Sequence, residues 1–225
     1  TVIIINLNIY YSMGNIVLSY LLKRFALFLF SAMIVAITTG FIFLDILVLN
    51  NGISETSATE LGQELIVAII CFLFFIPAYK QPEMRGGYTL IMGFFLCILI
   101  RELDGVFDQL AHGSWVWFAL TVTFVCIAIA IREGKKTLYG LTHFITHSSQ
   151  GMLMAGLLSV LLFSRLFGMG ILWEKLLGED YNRTVKNMVE EGSELFGYTL
   201  CLISVIWYRY SSKYHVIPTS IKVTY

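Results

Sequence analysis

The sequence predicts an all-α integral membrane bundle of six transmembrane helices, with both termini on the cytoplasmic side. Three observations carry that expectation. The composition is 57% hydrophobic and only 13% charged, with a mean hydropathy of +0.77, well outside the balance of an ordinary soluble domain. The apolar residues fall into runs of about 20, the length that spans a hydrocarbon core. The lysines and arginines of the short loops gather on one side of those runs, as retained cytoplasmic loops do.

Each predicted crossing has its own start and stop. The first runs from Phe25 to Leu49 behind the basic pair Lys23-Arg24, which leaves residues 1–24 as a short N-terminal segment. The second, Ser57 to Tyr79, begins after the Asn50-Asn51-Gly52 turn, and Pro77 and Pro82 mark its exit. Gly86-Gly87 opens the third, from Tyr88 to Leu110, and the His112-Gly113-Ser114 turn leads into the fourth, from Trp115 to Ile131. The loop Arg132-Glu133-Gly134-Lys135-Lys136 precedes a long fifth helix from Leu138 to Phe167. The sixth covers Thr184 to Tyr208, which closes a transmembrane domain of residues 25–210 and leaves 211–225 as a tail.

Composition also excludes functions. Fifteen basic and fifteen acidic residues balance, and no Lys/Arg-rich run tracks a phosphate backbone, so nucleic acid is not a partner. Cys71, Cys97, Cys126 and Cys201 lie inside apolar runs without CxxC spacing and do not form a disulfide framework. No basic n-region or small-residue cleavage site opens the chain. GxSxG, HExxH and phosphate-loop motifs are absent.

The informative residues are charges set within apolar runs. In Leu99-Ile100-Arg101-Glu102-Leu103-Asp104-Gly105-Val106-Phe107-Asp108, helical spacing puts Arg101, Asp104 and Asp108 on one face and turns Glu102 about 100° away. Charges at bilayer depth face a bundle interior or a water-filled cavity. The predicted topology places nine carboxylates, Asp45, Glu60, Glu64, Glu102, Asp104, Asp108, Glu190, Glu191 and Glu194, in one leaflet, with Glu64, Arg101 and Glu194 deepest. Ser57 to Glu60 also reads as a capping box, in which Glu60 serves only its own helix. Arg101 is expected to pair with Asp104 or Glu194, while Asp45, Asp108 and Glu190 belong to the headgroup zone. Glu60-Leu61-Gly62-Gln63-Glu64-Leu65 resembles Glu190-Glu191-Gly192-Ser193-Glu194-Leu195, and Cys71 and Cys201 follow at the same offset, the pattern of a weak internal repeat.

These residues define a candidate ion- or substrate-binding set of Glu64, Arg101, Glu102, Asp104, Glu190 and Glu194, with the expected function of binding or translocating a cation or proton. A second reading is a membrane-embedded metal or haem enzyme. His143 and His147, at i and i+4, are its ligands and a divalent metal ion its cofactor. The plainer account of that pair is an interhelical polar contact. A third reading is a non-catalytic membrane subunit. The expected partners are the lipid bilayer, a second copy of the chain or a partner subunit, and the expected location is the plasma membrane or bacterial inner membrane.

Overall fold

The computed structural model describes residues 2–50, 53 and 57–212, with side chains from residue 17 to 211. The expected turn at Asn51-Gly52 and the tail from residue 213, including Lys213, lie outside the described residues. The chain divides into two compact units, Thr1–Ile37 and Thr38–Tyr225. The first is helical from Val2 onward. The second holds the packed bundle.

Every regular element among the described residues is helical. Helix α1 spans Val2–Phe43 and runs into a π turn at Leu44–Leu49. Helices α2 (Ala58–Lys80), α3 (Arg85–Glu102), α4 (Asp104–Asp108), α5 (Trp115–Glu133) and α6 (Lys135–Ile145) follow. Then come α7 (Gln150–Leu158), a second π turn (Ser159–Phe163), α8 (Ser164–Phe167), α9 (Gly170–Leu177), a 3-10 turn at Gly178–Asp180 and α10 (Arg183–Ser212).

Local chemistry sets these boundaries. Ser57 is extended and its hydroxyl accepts the Glu60 N–H at 3.2 Å, the N-cap half of the expected capping box. Asp45, fully buried rather than in a headgroup zone, adds a second cap from the π turn. Its carboxylate accepts the Ala58 and Thr59 N–H groups, each at 2.8 Å, and the Thr59 hydroxyl at 2.6 Å. Four N–H groups at a helix start have no partner within the helix, and a carboxylate there satisfies two of them while meeting the positive end of the helix dipole. Gly134, at φ +57°, makes the sharp break between α5 and α6 in a conformation that costs side-chain-bearing residues energy.

In the second unit α2 and α10 form the centre. Helix α2 packs against α3 and α10, α3 packs also against α5 and α6, and α10 packs against α7, the second π turn and α8. The core between them is apolar and aromatic: Val67, Ile70, Phe74, Tyr88, Phe95, Leu195, Tyr198 and Tyr208 are all buried. Glycines allow the closest approaches, and Gly62 and Gly192, equivalent positions in the two similar hexapeptides, face Phe41 and Ile42 at the end of α1.

The six-crossing bundle is corrected by this architecture. Four helices among the described residues are long and apolar enough to cross a membrane: Val17–Leu49, Ala58–Lys80, Trp115–Glu133 and Gln150–Phe167. Their apolar surface is mostly uncovered within the chain. The expected third crossing fails because α3 ends at Glu102, where Leu103 breaks the helix, and its 18 residues include the charges Arg85, Arg101 and Glu102. The expected sixth, α10, carries Arg183, Lys186, Glu190, Glu191, Glu194 and Arg209. The fifth is two helices, since the chain turns at Thr146–Ser149 between α6 and α7. The multi-pass location in a plasma or inner membrane rested on six crossings and is withdrawn with them. The lipid bilayer as a partner follows from the same six crossings and is corrected with them, and a second copy or partner subunit was expected only to satisfy charged helix faces. The charged network of α3, α8 and α10 instead finds its partners within the same chain: Arg101 and Arg165 meet Glu194 across helices, Glu102 meets Arg101 and Glu190 meets Lys186.

Candidate functional site

Glu194 is the centre of the polar core. It stands on α10 with its side chain 2% exposed, a burial that costs a carboxylate heavily unless it is paired and hydrogen-bonded. Arg165 of α8 pairs with one of its oxygens, and the Ser164 hydroxyl lies 3.0 Å from that same oxygen. Arg101 of α3 approaches the other at 3.8 Å. Two arginines from different helices thus converge on one buried acid.

The network extends to both sides of that acid. Arg101 also pairs with Glu102, and Glu102 accepts the Tyr198 hydroxyl at 2.5 Å. Arg165 reaches Glu190 at 3.6 Å, and Lys186 reaches Glu190 at 2.8 Å along α10. Gln63 of α2, fully buried, donates its amide to the Glu191 backbone carbonyl at 2.9 Å and to the Glu191 carboxylate at 3.1 Å. Burial, together with the neighbouring Glu102 and Glu191 carboxylates, pushes Glu194 up to about 7, against the pull of Arg165 and Arg101. Burial likewise raises Glu191 above the ordinary carboxylate range, opposed by the Gln63 hydrogen bond.

Of the six residues singled out in the sequence, the fold brings Arg101, Glu102, Glu190 and Glu194 together. Asp104 is exposed on α4, because the break at Leu103 removes it from the face of Arg101. Glu64 is half-buried on α2, and none of the network's hydrogen bonds or ion pairs among the described residues reaches it. Glu102, expected to point away from Arg101, pairs with it, since the long guanidinium arm reaches round the helix. Arg165, Ser164, Tyr198, Gln63 and Lys186 are missing from the sequence-derived set. Arg165 had a readable signal: it is the one cation in the apolar run from Met152 to Leu172, and the surplus of acids called for a second cation.

A separate polar and aromatic cluster holds both histidines against the ring of Tyr208, with ring centroids 5.7 Å away for His143 and 5.1 Å for His147. The Tyr208 hydroxyl lies 2.9 Å from the Tyr88 hydroxyl and 2.8 Å from Nδ1 of His143, with Phe74 and Phe144 packed around its ring. Nδ1 of His147 lies 2.9 Å from the Ser149 hydroxyl in the turn between α6 and α7. The turn that begins at Thr146 ends α6 between the two histidines, so they do not share one continuous helical face. Among the described residues no group of three or more His, Cys, Asp or Glu side chains is placed to hold a metal ion. The metal- or haem-enzyme reading is therefore corrected. The cation- or proton-translocating reading is corrected with it. Of the carboxylates meant to exchange ions, Glu102 and Glu194 are paired with Arg101 and Arg165 and Glu190 with Lys186, while Asp104 is exposed and Glu64 stands outside the network, so they form no common ion site. The reading as a membrane subunit fails for the same reason, as these charges are satisfied within the chain.

The fold and site define an all-helical protein with a buried ionic network at the junction of α3, α8 and α10. No protein-family model, characterised protein or solved structure matches the chain.

Proposed function

We propose that the network is an interhelical clamp and that the protein acts as a helical scaffold, its buried charges fixing helix positions. One observation supports this above the others: Glu194, the least exposed acid of the network, is shared by side chains from two separate helices, Arg101 on α3 and Arg165 on α8. A buried carboxylate with two cationic partners is costly to leave alone, and that cost resists any movement that separates the helices. The remaining carboxylates fit the same role, since Glu102 ties Arg101 to Tyr198 and Glu190 ties Arg165 to Lys186.

The test is a stability cycle. Arg165→Ala alone leaves Arg101 on Glu194 and is expected to cost about 1–2 kcal/mol, given its partial exposure. Arg101→Ala with Arg165→Ala leaves the buried Glu194 without a cation, so that it folds as the neutral acid, and measured above neutral pH the pair is expected to cost about 3–5 kcal/mol. Adding Glu194→Gln to that pair should recover part of the loss. A doubly substituted protein as stable as the parent would overturn the clamp.

A further inference from the structure

The clamp depends on a phase that an uninterrupted α-helix would not supply. Gly156, Val160, Ser164 and Gly168 all face α10: Gly156 and Val160 lie against Gly197, Ser164 against Glu194 and Gly168 against Glu190. Residues four apart in an α-helix drift by about 40° per step, so the face would swing by about 120° between residues 156 and 168. The π turn at Ser159–Phe163 carries one extra residue in its turn and takes back about 100° of that swing. Without it, Gly156 and Arg165 could not both serve α10.

The π turn also leaves a chemical trace. The Ser164 N–H bonds to the Ser159 carbonyl, five residues back, in place of the Val160 carbonyl that an α-helix would use. The Val160 carbonyl is met by the Ser164 hydroxyl instead, at 2.6 Å. That hydroxyl has one proton to donate, and it stands between the Val160 carbonyl and the Glu194 carboxylate.

We propose that the π turn is a register device for the clamp, held by the Ser164 hydroxyl. With the hydroxyl on Val160 the turn stays π-helical and Arg165 sits on Glu194. When the Ser164 N–H takes the Val160 carbonyl instead, the segment closes to α-helix, turns by about 100° and withdraws Arg165. The Gly156–Gly197 contact upstream is untouched by the change. The functional part of this inference rests on the clamp reading, while the register itself does not.

Two variants separate these statements. Ser164→Ala removes the hydroxyl that satisfies Val160, and deletion of the exposed Leu162 removes the extra residue directly. The register is read by carbonyl and Cα chemical shifts of residues 159–163, which are expected to move to α-helical values in both variants. Unchanged shifts in the two variants overturn the proposal, and the Ser164→Ala result stands by itself if the deletion does not fold. Coupling is read by adding Arg165→Ala to each background. That substitution is expected to lower the melting temperature by about 3–6 °C in the parent and in the Leu162 deletion, whose shortened α-helix keeps Arg165 in the same phase. It is expected to lower it by nothing further in Ser164→Ala, where the full-length segment turns Arg165 away. An equal drop in all three backgrounds overturns the device, whereas no drop in the parent overturns the clamp and leaves the register standing on the shifts.

Discussion

Gly156 and Gly197 bring the backbones of α7 and α10 into direct contact. A Cβ on Gly156 would lie 2.5 Å from the Gly197 carbonyl oxygen, and a Cβ on Gly197 would lie 2.7 Å from that of Gly156. The obstacle on each side is backbone, which cannot rotate away as a side chain could. Gly156→Ala and Gly197→Ala are each expected to destabilise the protein by about 2–3 kcal/mol, the upper range for overpacking, despite the better helix propensity of alanine. Denaturant midpoints measure this, and an unchanged midpoint in both would mean that the two helices stand further apart.

The buried Asp45 cap is expected to matter more than a surface cap. It satisfies two N–H groups and a hydroxyl at the start of α2 from within the core. Asp45→Ala should cost about 2 kcal/mol and accelerate amide exchange at Ala58 and Thr59 first. Asp45→Asn keeps one acceptor oxygen and should lose less.

Acid should open the loop after α4. Asp108 accepts the Gly113 N–H at 2.8 Å and lies 2.8 Å from His112 Nδ1. The Gly113 hydrogen bond and the His112 contact hold its carboxyl below the ordinary value of 3.8. A depressed folded-state value favours the folded loop above the unfolded value, and the advantage disappears as pH falls through the folded one. Gly113 amide exchange, corrected for its intrinsic pH dependence, should therefore rise below about pH 4, near the unperturbed carboxylate value. Asp108→Asn should abolish that step.

Tyr208 bridges two polar groups that arrive from different helices. Tyr208→Phe keeps the ring among Phe74 and Phe144 but removes the hydroxyl between Tyr88 and His143. The expected cost is about 1–2 kcal/mol, with a change in the imidazole nitrogen shifts of His143. Unaltered shifts would mean that His143 takes its tautomer from elsewhere.

Much of the helical pattern was legible in the residues. The Ser57–Glu60 cap, the break at Gly134, the start of the helix at Trp115 and the interior placement of Glu194 and Arg101 follow from local rules of capping, glycine conformation and charge burial. The break at Leu103 was not legible, because leucine carries no turn signal, whereas Thr146-His147-Ser148-Ser149 holds a Ser/Thr loop signal that the apolar runs on either side overrode. Missing the break at Leu103 extended α3 into a third crossing and placed Asp104 beside Arg101, while the sixth crossing came from reading the charged α10 as a span.

The sequence by itself determined an all-helical chain with an excess of acids over the cations near them, since periodicity and composition are properties of neighbours along the chain. Arg101 was open between Asp104 and Glu194 in the sequence, and that Arg165 also meets Glu194 was decided by the tertiary structure alone. Arg165 lies 29 residues from Glu194, and a π turn that no residue type announces sets its direction. Pairing across helices depends on phase, and one extra residue in a turn changes phase by about 100° while leaving composition and hydropathy almost unaltered.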